Sequence, residues 1–334
     1  MRATPPNLAL VCLVLTAILG LSLALSLGLG TVHIPPARIW AWLQGQPLDR
    51  ACRVILTELR LPRLLAAALV GAGLSLCGAV FQGLLRNPLA EPFILGVSGG
   101  AAAGAVLAMS LGLVALGGVS ACAFAGALGT VTLVLAIARR RGRMETSTLI
   151  LTGVMVNAFF TALIMFVIAT TTSQKLHAIL FWLYGDLSAS RLEQVWLLGP
   201  VVGAGAVVLF FYGRHLNLLA AGALTAATLG MRVERVKLVL FGVVSLVVGV
   251  TVSLSGLIGF VGLMVPHLVR MTLGHDHRIL LPASALFGAS FLVWADTAAR
   301  TVISPASLPV GVVTAALGAP FFVLLLARRG SQWW

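Results

Sequence analysis

Charged side chains are scarce in this chain of 334 residues. Asp, Glu, Lys and Arg together make up 9% of the sequence, whereas 60% of it is hydrophobic. A soluble domain carries about 25% charged residues, because its surface has to be hydrated. The mean hydropathy of +1.07 points the same way. The composition therefore excludes a soluble globule and indicates a polytopic membrane protein.

Acidic residues are the scarcer sign of charge. The 9 Asp and Glu residues stand against 22 Lys and Arg, which gives a net charge of +13. The basic residues lie at the ends of apolar runs and do not alternate with surface aromatics. Flanking cations of this kind orient helices in a bilayer. We therefore predict membrane lipid, and no nucleic acid, as the surroundings of these cations.

Phosphate-binding and metal-binding motifs are also missing. The sequence contains no Gly-Lys pair, so it lacks the loop that cradles ATP phosphates. Its four cysteines have no metal-ligand spacing. We expect no catalytic, metal or cofactor site in this chain. If transport is active, ATP and Mg must be used by a separate subunit.

Ionisable residues are missing from the centres of the apolar runs. Glu91 and Asp296 lie near run ends, and His267 is better explained as a structural histidine than as a proton relay. Secondary transporters usually carry such groups in mid-membrane, so this class is disfavoured. An intramembrane enzyme is disfavoured too, because paired aspartates, a Ser/His dyad and an H-E-x-x-H motif are not found.

Apolar runs long enough to cross a bilayer recur along the whole chain. A transmembrane helix needs about 20 mainly apolar residues. We predict an all-α, multi-pass protein with ten transmembrane helices. The runs lie near residues 7–30, 64–85, 94–113, 115–138, 147–170, 195–213, 237–256, 258–273, 279–299 and 308–327.

The basic residues predict the orientation of these helices. With both termini in the cytoplasm, 14 of the 22 Lys and Arg residues fall in cytoplasmic segments and 8 in external ones. Most of the external ones belong to a single long loop, where the positive-inside bias weakens. We therefore expect cytoplasmic N- and C-termini.

A shift of 178 residues aligns two parts of the chain. It places Val70-Gly71 on Val248-Gly249 and, further on, Pro88 on Pro266 and Gly96 on Gly274. Five helices per copy would give the copies opposite topology, as in many transporters. We predict inverted repeats over about 7–170 and 195–327 within one permease domain, with coincidence as the alternative.

Proline and glycine interrupt several runs. A lost helical hydrogen bond is tolerated in a membrane only where protein or a wet cavity compensates. The steps through Gly96, Gly100 and Gly104 favour tight helix packing over substrate contact. The residues that we predict at helix breaks or along a translocation pathway are Gln82, Asn87, Pro88, Gly96, Gly99, Gly259, Gly262 and Pro266.

Three long motifs resemble the FecCD permease family, whose members import siderophores, haem and cobalamin. They are Arg60-Leu-Pro-Arg63, the run from Gln82 to Pro92, and Gly256-Leu-Ile-Gly-Phe-Val-Gly-Leu-Met-Val-Pro-His-Leu-Val-Arg270. Asp296-x-x-x-Arg300, Leu308-Pro-Val-Gly311 and Gly318-x-Pro320 follow in the family's order. The resemblance covers about residues 55–327.

The resemblance implies the assembly and the cargo. The expected complex is a homodimer in the cell inner membrane, with its pathway between the two copies. Two cytoplasmic ABC ATPase subunits and a periplasmic substrate-binding protein would complete it. The resemblance puts an iron chelate, a ferric siderophore or haem, first among substrates, with cobalamin as the alternative.

The resemblance also implies two sets of functional residues. Arg60, Arg63 and Arg300 match external arginines that dock the binding protein; the alternative is that they flank spans, with Arg300 paired to Asp296 at i,i+4. The second set is a coupling segment, about 214–236, that contacts the ATPase through two short helices. Its predicted contacts are Leu216, Asn217, Leu218, Leu219, Gly222, Thr225, Ala226, Leu229 and Gly230.

The chain departs from the family at several positions in these regions. Ala223 and Leu224 stand where acidic residues are usual, and Ala227 where arginine is frequent. Ser307 replaces a frequent glutamate before Leu-Pro-x-Gly. A polar part of the usual ATPase contact is therefore absent.

Overall fold

The computed structural model describes residues 5–113, 117–139 and 146–329, and every regular element in these ranges is helical. A π-helical turn (Ile55–Arg60) joins α3 to α4, and a 3-10 turn (Pro92–Leu95) precedes α5. The helices are α1 (Pro5–Gly28), α2 (Pro36–Leu43), α3 (Arg50–Val54), α4 (Leu61–Leu84), α5 (Val97–Ser110), α6 (Gly118–Arg139), α7 (Thr146–Thr170), α8 (Ser173–Leu183), α9 (Leu192–Phe211), α10 (Gly213–Ala220), α11 (Ala223–Thr228), α12 (Val233–Ser255), α13 (Val261–Leu273), α14 (His277–Thr301) and α15 (Val310–Arg329).

Within the described residues, seven helices are long and apolar enough to cross a membrane. They comprise α1, α6, α7, α9, α12, α14 and the continuous helix Arg50–Leu84, which includes α3 and α4. The shorter apolar helices α5 and α13 and the apolar stretch Val310–Leu325 of α15 complete the set. Each of the ten predicted runs overlaps one of these helices. The prediction of an all-helical integral membrane protein is thereby confirmed.

Helix α4 lies at the centre of the bundle. It packs against α14, α13, α12 and α9. In the continuous helix Arg50–Leu84, 83% of the apolar membrane-spanning stretch is buried, against 11% in α1 and in α7. Apolar side chains on the outer helices are exposed, as expected where lipid replaces water as the solvent. The charged face that covers a soluble bundle is therefore not needed here.

Close backbone contacts hold α4 to its neighbours. A Cβ on Gly78 would overlap the carbonyl oxygen of Gly262 in α13, and one on Gly71 would overlap that of Gly288 in α14. Pro266 explains the first contact, because it supplies no N–H to the Gly262 carbonyl one turn earlier. That carbonyl instead faces the α-carbon of Gly78, where a weak Cα–H···O contact can form.

Helices α5 and α13 are too short to span a bilayer alone. Each is about 20 Å long at about 1.5 Å per residue, compared with about 30 Å of hydrocarbon. Both begin after a residue in the left-handed region, Gly96 (φ 76°) and Phe260 (φ 68°). Glu91 links the non-helical segments that precede α5 and α13, since its Oε1 accepts the Phe260 N–H at 2.8 Å.

The structure limits the internal sequence match. Val70-Gly71 and Val248-Gly249 both lie inside long helices, α4 and α12. Beyond them the single shift pairs unlike structures, because Pro88 lies in the turn after α4 whereas Pro266 lies inside α13. Gly96 likewise opens α5, but Gly274 follows the end of α13. The pairing of Pro88 with Pro266 and of Gly96 with Gly274 is therefore wrong in three dimensions.

We predict that Gly78→Ala destabilises the protein by about 1–3 kcal/mol, because the added methyl group meets backbone that cannot rotate away. The measurement is the thermal unfolding midpoint in detergent. Gly129→Ala in α6 is the matched control, since no described atom lies within 4 Å of its Cβ position. Equal midpoints for the two variants would contradict the prediction.

Candidate docking and coupling sites

The three predicted docking arginines converge at the end of the bundle that carries α3 and α8, here called the α3 end. Arg63 Nε donates to Asp296 Oδ1 at 2.8 Å and to Oδ2 at 3.1 Å. Arg300 Nε lies 3.4 Å from Asp296 Oδ2. Asp296 has no exposed surface on its side chain, so α4 and α14 are joined by a buried ion network.

Arg60 and Arg300 bind the end of α1. Arg60 Nη1 donates to the Leu27 carbonyl at 2.7 Å, and its Nη2 donates to the Val32 carbonyl. Arg300 donates to the carbonyls of Ser26 at 3.0 Å and Leu29 at 3.2 Å. The last carbonyls of a helix have no intrahelical partner. The two guanidinium groups therefore cap α1 from neighbouring helices.

These arginines do not form an exposed basic surface. Arg60 and Arg300 are only 5% and 7% exposed, and the Arg63 side chain is 11% exposed. The i,i+4 pair of Asp296 and Arg300, expected under the alternative interpretation, is present. Docking by the three arginines stays a prediction, and it would require them to leave their present partners.

The predicted coupling segment forms two short helices, α10 and α11, at the opposite end of the bundle, here called the α10 end. Leu216, Leu219 and Ala226 are buried against the bundle. Leu224 and Leu229 project, with 81% and 66% exposure. From residue 216 to residue 231 the sequence has no charged residue. The projecting surface is therefore uncharged, and its large exposed side chains are apolar.

The remaining predicted coupling residues differ in exposure, and some are partly buried against the bundle while others project from it. Gly222 separates the helices with a φ of 123°, which glycine adopts without strain. Asn217 and Leu218 on α10 are half-buried, whereas Thr225 and Gly230 are exposed. Only Asn217 among the predicted contacts uses its side chain to bond another helix, through Asp276 and His277.

The predicted pathway residues fall into three places. Gln82, Gly262 and Pro266 meet at the α4–α13 contact, where Gln82 Nε2 donates to the Leu263 carbonyl at 3.1 Å. Gly259 lies just before that contact. Residues Gly96 and Gly99 pack against α7, and Asn87 with Pro88 forms the turn after α4, where Asn87 Oδ1 accepts the Leu89 N–H.

The spaces between helices differ greatly in size. Two voids, one beside α6 and α12 and one beside α4 and α9, hold only about 10 Å³ each. A groove of about 450 Å³ runs between α1, α13 and α14 and is lined almost wholly by apolar side chains. Within the described residues, no three His, Cys, Asp or Glu side chains are grouped to hold a metal ion.

Comparison with known proteins defines the class to which this bundle belongs. The FecCD transport family model matches residues 17–328. The chain belongs to the FecCD transport family. It is the permease component of an ABC importer, which works with an ATPase and a substrate-binding protein.

Individual relatives agree over most of the chain. It is 48% identical over 283 residues to the cobalamin import system permease protein BtuC of Halobacterium salinarum, covering 84% of this chain and 76% of the relative. It is 40% identical over 320 residues to the vitamin B12 import system permease protein BtuC of Klebsiella pneumoniae, covering 95% and 93%. A solved inward-facing structure of a putative metal-chelate type ABC transporter matches with TM-score 0.85 and 33% identity, covering 95% and 98%.

We predict that Asp296→Ala lowers the free energy of unfolding by about 3–5 kcal/mol, because it leaves Arg63 and Arg300 as buried charges without their carboxylate. Thermal or denaturant unfolding in detergent measures the loss. Arg38→Ala is the control, since the Arg38–Asp49 pair is 59% and 56% exposed and such pairs contribute about 0–1 kcal/mol. A loss no larger than that of the control would contradict a stabilising role for the buried network.

Proposed function

We propose that this permease transports cobalamin or a related corrinoid. The observation that carries the proposal is the identity of 40–48%, over most of the chain, to permeases named for cobalamin and vitamin B12 import. An iron chelate, placed first by sequence, becomes the second candidate. It remains one because the structure with 33% identity is described only as a putative metal-chelate type transporter.

We propose that all ten apolar helices cross the cell inner membrane and that both termini lie in the cytoplasm. The α10 end then faces the cytoplasm, and the α3 end faces the periplasm. The distribution of Lys and Arg supports this orientation. For α5 and α13, the non-helical segments joined by the Glu91–Phe260 hydrogen bond complete the crossing.

A homodimer would place the translocation pathway between two copies of the chain. The two small voids described inside one copy hold about 10 Å³ each, far below the about 300–1,000 Å³ of ordinary ligand pockets. The groove of about 450 Å³ between α1, α13 and α14 offers almost no polar group to a substrate. Helix α7 exposes large apolar side chains, including Phe159 at 66% and Phe166 at 67%. Such a surface suits either lipid or a second copy.

The coupling segment would bind one of two cytoplasmic ATPase subunits. Leu224 and Leu229 supply exposed apolar anchors, and Leu224 stands where the family usually has an acidic residue. An apolar groove on the ATPase fits this surface, because exposed apolar patches mark sites of protein association. The ATPase subunits would bind ATP and Mg, and this chain would bind neither.

Docking of the periplasmic binding protein would proceed by exchange of hydrogen-bond partners. Arg60 now donates to backbone carbonyls at the end of α1. Carboxylates on the incoming protein are stronger acceptors than neutral carbonyls. Arg60 and Arg300, which bond carbonyls of α1, would therefore turn toward acidic groups of that protein when it arrives. Arg63 would exchange one carboxylate, that of Asp296, for another.

The substrate proposal is tested in proteoliposomes that contain the permease, its ATPase and its binding protein. We expect ATP-dependent uptake of labelled cyanocobalamin, and at least tenfold less uptake of a ferric siderophore or haem. A variant ATPase without hydrolysis is the control for leakage. Preferential uptake of an iron chelate would show that the substrate assignment is wrong while leaving the importer class intact.

The docking proposal predicts that Arg60→Gln weakens binding of the periplasmic protein by about tenfold or more, since a charged hydrogen bond is worth about 1.5–3 kcal/mol. Glutamine can still donate to a carbonyl, so the unfolding midpoint should change little. Arg53→Gln, at an exposed arginine of the same end, should keep the affinity. An unchanged affinity for Arg60→Gln would rule Arg60 out as a docking residue.

A further inference from the structure

Asn217 connects the coupling segment directly to α14. Its Oδ1 accepts two hydrogen bonds from His277, one from the backbone N–H at 2.9 Å and one from the ring Nδ1 at 2.7 Å. Its Nδ2 donates to Asp276 Oδ1 at 2.8 Å. One side chain of α10 thus caps the first N–H of α14, a group that no residue within the helix can satisfy.

The residues around this connection are packed so closely that α10 and α14 have little room to move relative to each other. His277 is 4% exposed, and its ring lies against the last turn of α4, where a Cβ on Gly83 would be 2.5 Å from Nε2. At the start of α10, a Cβ on Gly213 would be 3.4 Å from the Arg278 side chain. Helices α10, α14 and α4 therefore meet in one close-packed junction, which we call the α10–α14 joint.

The joint keeps its charge state. Arg278 donates to the Asp276 carboxylate at 2.9 Å, and this hydrogen bond, with that of Asn217, holds the pKa of Asp276 well below its usual range. The carboxylate is therefore ionised at any physiological pH. Its acceptor oxygens remain available to Asn217 and to the Arg278 N–H, which Asp276 Oδ1 accepts at 3.1 Å.

Helix α14 extends from the joint to the ion network at the other end. Its 25 residues span about 37 Å at about 1.5 Å per residue. Along that length it packs against α4, α1, α13 and α15. Its last turns carry Asp296 and Arg300, which bind α4 and α1. A displacement of α14 at the joint would reach both ends of the bundle.

We propose that Asn217 is a positioning residue that transmits movement of the ATPase-bound coupling segment to α14. The inference rests on the proposed function, in which the ATPase binds at the α10 end. In this arrangement α11 presents Leu224 to the ATPase, and α10 passes the movement on through Asn217. Asn217 was predicted from the sequence as an ATPase contact, but its side chain turns to Asp276 and His277, so the inference gives it a positioning role in place of a docking one.

The experiment uses the complete transporter in proteoliposomes, with whichever chelate the wild type transports. Asn217→Leu has a side chain of similar size that cannot form hydrogen bonds. We expect its ATPase association to stay within twofold of wild type and ATP hydrolysis to continue. Substrate transported per ATP hydrolysed should fall at least tenfold, because the coupling segment no longer moves α14.

Two reference variants separate transmission from docking and from general damage. Thr272→Val removes a hydroxyl group at the same end that bonds only to carbonyls of its own helix, so its transport per ATP should equal the wild-type value. Leu224→Lys should instead lose ATPase association, because it places a charge in the apolar contact without restoring the acidic residue that is usual in the family. Asn217→Leu must transport less substrate per ATP than Thr272→Val and must bind the ATPase better than the Leu224 variant.

An exchange of the two side chains provides a rescue. Asn217→Asp alone sets a second carboxylate against Asp276 and should uncouple transport. Combined with Asp276→Asn, the amide donor and the carboxylate change places and the hydrogen bond is restored. We expect the double variant to recover transport per ATP to within about threefold of wild type. Two independent structural defects would add up and would not cancel in this way.

The outcomes distinguish the inference from the function on which it rests. Normal transport per ATP in folded Asn217→Leu, or no recovery in the exchanged pair, would overturn the inference alone. Loss of ATPase association in Asn217→Leu, as in Leu224→Lys, would also overturn it, because Asn217 would then be a docking residue. A wild-type permease that binds no ATPase would overturn the proposed function and the inference together.

Discussion

The packing of α14 against α4 is the contact on which the rest of the structure depends. Lipid is as apolar as the helix surfaces, so burial of apolar area gives two helices little reason to associate. Close approach and hydrogen bonds must supply the attraction. Gly71 and Gly288 let the backbones touch, and Ser75 Oγ reaches the Ser284 carbonyl of α14 at 2.7 Å. Polar junctions then close both ends, with Asp296 at one and His277 at the other.

The composition and apolar runs were sufficient to predict an all-helical membrane protein and the positions of its apolar helices. The two short coupling helices were expected from the family resemblance. The shortness of α5 and α13 was not predicted, because hydropathy averages over residues such as Ile258 that are apolar without being helical. The failure of the single repeat shift beyond Val70-Gly71 has the same origin, since sequence matching does not register where a helix begins or ends.

Partners distant in sequence account for what the pattern of residues could not show. Arg300 donates to carbonyls more than 270 residues earlier, at the end of α1. A backbone carbonyl is present at every residue, so no local sequence motif identifies it as the acceptor. Asn217 was expected at the coupling site, but its partner Asp276 lies 59 residues away. An arginine near a span end indicates a membrane boundary whether its side chain is exposed or buried. Only the packing of the folded chain decides which of the two it is.

If docking and ATPase binding occur as proposed, the two polar junctions of α14 make them interdependent. If the binding protein draws Arg300 away from the end of α1, it removes one of the contacts that hold α14 in its present position. If the ATPase displaces α10, the Asn217 hydrogen bonds carry the same helix with it. Linkage requires that such effects be reciprocal. The nucleotide state of the ATPase must therefore change the affinity for the binding protein by the same factor by which docking changes the affinity for nucleotide.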